Sequence, residues 1–143
     1  SNLQNRKRLL YQAIEHIKNL PKTQLLKESS LIETKAEGNP NQPDFINCVI
    51  EIETEFQPET LMKACLEIEK KMGRTRKKKW EPRLIDIDIL LFEGGCIESK
   101  KVTIPHPLCH KRRFVLQSLA EICPEYIHPI KNKTITELLE ELS

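Results

Sequence analysis

The stretch Arg83-Leu84-Ile85-Asp86-Ile87-Asp88-Ile89-Leu90-Leu91-Phe92 decides how the chain is read. Successive side chains on a strand point to opposite faces. The run therefore predicts a strand over Leu84–Phe92, with Ile85, Ile87 and Ile89 on a face suited to burial and Asp86 and Asp88 together on the other. Residues two apart on a strand lie about 6.5–7 Å apart. At that spacing two carboxylates can grip one Mg²⁺ or support two ions about 3.5–4 Å apart. Asp is a poor strand former and like charges side by side repel, so local propensity does not account for the pair. The plain alternative is a solvated strand face with two inert carboxylates, because an isolated Asp-x-Asp is common.

The residues just upstream weigh against that alternative. Arg74, Arg76, Lys77, Lys78, Lys79 and Arg83 crowd the approach to the two aspartates, and the run lacks apolar periodicity, so it reads as a loop. Cations next to paired carboxylates at a metal site describe a polyphosphate pocket. Taken alone, the basic run fits equally a solvated loop or a nucleic-acid patch. Trp80 inside it suits either stacking on a base or anchoring the loop.

Working outward, Asn5–Leu20 carries Leu9, Leu10, Ala13, Ile14 and Ile17 at helical spacing, with Pro21 after its end. Thr23–Thr34 reads as a strand, and residues 37–44, rich in Gly, Pro and Asn, as a loop. Phe45–Phe56 alternates like a strand with one strongly apolar face. Pro58 opens a helix that Gly73 closes as C-cap. A short extended piece reaches Ile104, Pro105-His106-Pro107 breaks it, and Arg113–Ile122 and Ile135–Leu142 look helical. With one further strand at the front, this order would give the β-α-β-β-α-β arrangement of ferredoxin-like folds. The expected class is α+β, a ferredoxin-like sandwich with helices packed on an antiparallel sheet.

The 143 residues suit one domain, 1–143, and 38% hydrophobic with 31% charged residues belongs to a soluble globular chain. A formal net charge of +2 means that any attraction to phosphate comes from local clustering. No run is apolar enough to span a bilayer and no secretory leader is evident. Five scattered cysteines without a C-x-x-C pair fit a reduced, cytoplasmic protein.

Two further groups stand out. His106 precedes Lys111, Arg112, Arg113 and Phe114 at a helix start, a setting that favours anions. His106 and His110 are equally readable as ordinary surface histidines, and with Cys109 they match no strong zinc pattern. Phe45 and Asn47 share a strand face, and a ring beside an amide suits a flat heterocycle, although a strand Phe is more often core. An RNA-binding sheet would need several aromatics on one face, and the chain is only 5% aromatic. A nucleotidyltransferase would need a third strand carboxylate and a Gly-rich phosphate loop, and neither is evident.

Together, Ser1-Asn2-Leu3, residues 42–47, Gly73-Arg74-Thr75-Arg76, residues 80–92, Pro105-His106 and Arg112-Arg113-Phe114 resemble the 6-hydroxymethyl-7,8-dihydropterin pyrophosphokinases of folate synthesis, over nearly the whole chain and in the right order. That family moves the β,γ-pyrophosphoryl group of ATP to the pterin hydroxymethyl oxygen and releases AMP. The resemblance implies two Mg²⁺ ions held by Asp86 and Asp88. It implies catalytic arginines at Arg74 and Arg83, and ATP contacts from Glu69, Arg74, Arg76, Trp80, Arg83, Ile89, Lys101, Thr103, His106 and Arg112. It places the pterin at Thr34, Phe45, Asn47, Asp86 and Phe114. It implies small-molecule substrates, no nucleic acid and no membrane, with fusion to or association with another folate-pathway enzyme as a family possibility.

The sequence departs from the family at Glu81, where a small residue is common, and at Lys101, which replaces an arginine and loses its bidentate fork. Pro107 and Leu66 also stand where some members carry an aromatic and a polar residue. Family members have an apolar strand ending in Gly just before Ser-Asn-Leu. The resemblance therefore carries the expectation that this sequence lacks its first strand, through cropping or as part of a longer or fused chain.

Overall fold

The computed structural model describes residues 3–34, 45–73 and 85–142. Helix α1 (Leu3–Lys18) buries Ala13, Ile14 and Ile17, the stripe that the sequence spacing marks. Helix α2 (Pro58–Met72) has Pro58 in its first turn and buries Cys65, Ile68 and Met72. Gly73 caps α2, as expected, but with φ −82°, an ordinary right-handed conformation. Both helices pack together, and their apolar faces meet in one core of Ala13, Ile17, Ile68 and Met72.

The two long strands expected over Thr23–Thr34 and Phe45–Phe56 are each broken in two. Strand β1 (Thr23–Glu28) pairs antiparallel with β4 (Ile50–Thr54), and β2 (Ile32–Thr34) pairs antiparallel with β3 (Phe45–Asn47). The register slips twice along this ribbon. One slip is a bulge between Leu25 and Lys27. The other lies between the pairs Glu28↔Ile50 and Ile32↔Asn47, where residues 29–31 face only residues 48 and 49. Ser29 causes this second break. Its N–H donates to the Val49 carbonyl at 2.8 Å, and its hydroxyl accepts from the Val49 N–H at 2.9 Å in place of a backbone carbonyl. Next to it, the N–H and hydroxyl of Ser30 both donate to the Glu121 carboxylate.

Strand β5 (Ile97–Glu98) and β6 (Thr103–Ile104) form a small hairpin. Helix α3 (Arg113–Ile122) buries Val115, Leu116, Leu119 and Ile122. It packs along α4 (Ile135–Glu141), which starts with a complete capping box between Thr134 and Glu137. Cys109, Val115, Leu116, Leu119, Ile135 and Leu138 form a second core. The class is α+β. Among the described residues the strands make three two-stranded antiparallel sheets rather than one continuous sheet. No helix among them is long and apolar enough to cross a membrane.

The expected strand over Leu84–Phe92 is not realised as one: its described part, 85–92, belongs to no ladder. Its alternation nevertheless holds at the start, where Asp86 and Asp88 are exposed and Ile85 and Ile87 are half-buried. A ladder needs a neighbouring backbone, whereas alternation needs only a core on one side. Ile85 and Ile87 pack on the first core, and Leu90 and Leu91 on the second.

The loop between α3 and α4 is ordered by His128, which is 1% exposed. Its Nδ1 accepts from the N–H groups of Ile130 and Lys131 at 3.2 and 3.1 Å, so the neutral ring carries its proton on Nε2. Its ring meets His110 edge-on at 5.5 Å. Burial first, then the charges of His110 and Lys131, push the His128 pKa below the usual 6.5. The unfolded chain therefore takes up this proton before the folded one. The associated stability is complete above about pH 6.5 and is lost as pH falls toward the depressed folded value. Urea unfolding at pH 7.5 and 5.5 should show a decline, and His128→Asn, which keeps an acceptor without the proton site, should show a smaller one.

Candidate active site

The site is built on the segment 85–92, which hydrogen bonds from other elements hold. Glu69, in the last turn of α2, accepts the Ile87 N–H on Oε2 at 2.7 Å. The His106 N–H donates to the Leu90 carbonyl at 2.9 Å, and the Tyr126 hydroxyl to the Phe92 carbonyl at 2.8 Å. These bonds and the two cores fix which way the backbone faces. With Ile85 and Ile87 turned to the first core, the carboxylates of Asp86 and Asp88 emerge together.

Glu69 and Asp88 place negative charge at this segment. Cys65 lies one helical turn before Glu69 on the same face of α2. Its thiol is pushed up to about 11, by burial first and then by the charges of Glu69 and Asp88. Glu69 and Asp88 thus both act on one point beneath the segment. Two exposed carboxylates suit Mg²⁺, which takes one or two carboxylates and completes its shell with water and phosphate oxygens. Among the described residues no group of three His, Cys, Asp or Glu side chains could hold a metal. Cys109 is 1% exposed and its thiol is raised to about 11, chiefly by burial.

The hairpin end brings together Thr34, Phe45 and Asn47. Thr34 pairs with Phe45 across β2–β3, and Asn47 Nδ2 donates to Thr34 Oγ1 at 3.2 Å. Phe45 is 55% exposed, so its ring is not spent on the core. Phe114, in the first turn of α3, is half-buried against the second core. His106 is half-buried, and its Nδ1 accepts from the Leu108 N–H, leaving Nε2 to carry the proton of the neutral ring. Lys101, Thr103 and Arg112 are exposed near the β5–β6 hairpin and the start of α3. Ile89 is half-buried between Asp88 and Leu90. Arg74, Arg76, Trp80 and Arg83 lie outside the described residues.

Residue reasoning missed three supports. Tyr126 follows Pro124 and Glu125 in a loop and carries no periodic signal. His128 belongs to no motif in the sequence. Glu69 is reached only through the family resemblance, as a nucleotide contact, which does not predict its bond to Ile87.

An α+β protein with an acidic pair mounted between two cores is thus defined. The model of the family "7,8-dihydro-6-hydroxymethylpterin-pyrophosphokinase (HPPK)" matches residues 1–124, and the chain belongs to that family. The chain is similar to a 2-amino-4-hydroxy-6-hydroxymethyldihydropteridine pyrophosphokinase of Methylorubrum extorquens, at 36% identity over 142 residues, 99% of this chain and 89% of the other. A Haemophilus influenzae protein of the same name is 37% identical over 143 residues, 100% of this chain and 89% of that one. The folic acid synthesis protein fol1 of Schizosaccharomyces pombe is 35% identical over 142 residues, 99% of this chain but 19% of the yeast protein.

Thiol reactivity reports on this packing. Iodoacetamide at pH 8 should label the exposed Cys96 first and Cys65 and Cys109 last, because a buried thiol near 11 holds little thiolate there. Peptide mass spectrometry over time gives the order, and early labelling of Cys65 would contradict the described environment.

Proposed function

We propose that the chain is a magnesium-dependent diphosphotransferase. It moves the β,γ-pyrophosphoryl group of ATP onto the hydroxymethyl oxygen of 6-hydroxymethyl-7,8-dihydropterin, giving the pterin diphosphate and AMP for folate synthesis. The observation that carries this reading is the exposed Asp86/Asp88 pair within a chain that matches the family over residues 1–124. The reading extends to a single domain over 1–143 with a ferredoxin-like sandwich, acting in the cytoplasm. The fission yeast relative, much longer than this chain, supports fusion or association with another folate-pathway enzyme as an option for the fold.

Asp86 and Asp88 would hold two Mg²⁺ ions, which when bound neutralise triphosphate charge and polarise the phosphorus under attack. The chain's own residues align the substrates. Phe45 and Phe114 take the faces of the pterin, and Asn47, steadied by Thr34, reads its edge. Thr103, His106, Arg112 and Lys101 meet the nucleotide, with Ile89 beside it. Arg74 and Arg83 meet charge that grows on the transferring group, and Arg76 and Trp80 help enclose it. In the transfer, the bond between the β-phosphorus and the oxygen bridging to the α-phosphate breaks. A bond from the hydroxymethyl oxygen to the β-phosphorus forms as that oxygen loses its proton. Phosphoryl transition states are loose and charge-rich, so alignment and electrostatics supply most of the catalysis.

Incubation with ATP, the hydroxymethyl pterin and Mg²⁺ should release AMP; release of ADP or pyrophosphate instead would reject the reaction. Asp88→Ala should abolish Mg²⁺-dependent turnover. Arg83→Ala should lower kcat by roughly 10³-fold or more, the scale of a transition-state arginine, with a much smaller change in ATP affinity. Equal losses in kcat and ATP affinity would exclude the transition-state role.

A further inference from the structure

The amide of Ile87 lies between the two aspartates, and its hydrogen goes to a carboxylate on another element. Glu69 Oε2 accepts it at 2.7 Å. We propose that Glu69 is a positioning residue for the acidic pair: it acts through the Ile87 backbone to set how tightly Asp86 and Asp88 hold a divalent cation. This inference rests on reading those two aspartates as the metal ligands.

Four observations support it. First, segment 85–92 belongs to no ladder among the described residues, so no strand pairing described there sets its register. Second, the bonds at Leu90 and Phe92 both lie beyond Asp88. The bond at Ile87 is placed between the two carboxylates. Third, Ile85 and Ile87 press on the first core, but apolar contact is non-directional. It keeps the segment down without fixing rotation of the peptide planes that aim Asp86 and Asp88. A hydrogen bond is directional and does fix them. Fourth, Glu69 is an acid in the last turn of α2, the helix end where the dipole disfavours negative charge. Its neighbours Lys70 and Lys71 are the residues a C-terminal turn prefers. A carboxylate held in that place against local preference has a use elsewhere, and the bond to Ile87 supplies one. Glu69 also adds negative charge near Asp88, as their shared action on the Cys65 thiol indicates. It thereby raises the pull on a cation without occupying the exposed side of the segment.

A nucleotide contact by the same side chain would make a different prediction, so the two roles separate by experiment. Mn²⁺ binding is followed by electron paramagnetic resonance in the presence of a non-hydrolysable ATP analogue, and AMP binding by calorimetry without metal. Glu69→Ala should weaken Mn²⁺ binding by about 10–100-fold, the usual loss when a partner behind a metal ligand is removed. It should leave AMP affinity unchanged and speed hydrogen exchange at the Ile87 amide. Glu69→Gln keeps an acceptor oxygen and should recover most of the Mn²⁺ affinity. Should the alanine variant fail to fold, Glu69→Asp, which withdraws the carboxylate by one methylene, carries the same expectations. Weakened AMP binding with unchanged Mn²⁺ affinity would overturn the proposal. Wild type and Asp88→Ala serve as references. If they bind Mn²⁺ alike, the metal reading itself falls and this inference with it. If wild type binds more tightly than Asp88→Ala while Glu69→Ala matches wild type, only this inference falls.

Discussion

One short segment has to satisfy two cores at once, and the rest of the structure depends on that constraint. Ile85 and Ile87 serve the core between α1 and α2, while Leu90 and Leu91 serve the core between α3 and α4. Each buried aliphatic side chain contributes about 1.5–3 kcal/mol when fully buried, and these half-buried ones contribute less each. Together they still make the segment the apolar seam between the two halves. The exposure of Asp86 and Asp88 follows from the seam: with period-two alternation, whatever faces away from the first core faces solvent. Packing behind the acidic pair turns both carboxylates outward, and the bond from the Ile87 N–H to Glu69 holds the peptide between them. Function and folding are coupled here because the same peptide planes carry the core residues and the carboxylates.

The interrupted ribbon plays a matching part on the hairpin side. Ser29 replaces a rung of backbone pairing with its hydroxyl, and Ser30 ties the same corner to Glu121 at the end of α3. Lys27 Nζ adds a bond to the Ile122 carbonyl nearby. A register slip of one residue would turn every side chain beyond it to the other face. The corner at Ser29 therefore decides which residues of β2 and β3 stand together. Thr34, Phe45 and Asn47 are brought side by side, and Phe45 keeps its ring in solvent.

The helices were legible in the sequence because their apolar stripes and end signals agree. Leu9 to Ile17 mark α1, Pro58 and Gly73 bracket α2, and Val115 to Ile122 mark α3. The strands were legible as extended chain but not as ladders. Alternation reports burial on one side, whereas pairing depends on a partner distant in sequence, and nothing local in Ser29 or Val49 announces a break. The same limit explains residues 85–92, whose alternation holds at the start and whose ladder is absent among the described residues. Of the site, Asp86 and Asp88 were readable from their spacing, and Phe45 with Asn47 from a shared face. The supports from Glu69, Tyr126 and His128 were not. Each is a single side chain reaching a backbone group far along the chain, a relation that leaves no periodic trace.

Charge shows why the composition said so little. A net +2 spread over 143 residues predicts no ligand of either sign. The local arrangement is not neutral. Glu69, Asp86 and Asp88 gather negative charge on one segment and the turn behind it, while Lys101 and Arg112 are exposed on neighbouring elements. The adjoining sequence 74–83 holds six more Lys and Arg residues. Opposed fields of this kind favour neither a bare anion nor a bare cation. A polyphosphate carrying its own divalent ions presents both signs, so each end of the ligand relieves a repulsion that the other alone would meet. On the proposed reading, metal and triphosphate bind as a mutually dependent unit. The negative segment then needs only two exposed carboxylates, because the remaining oxygens around the metal arrive with the substrate.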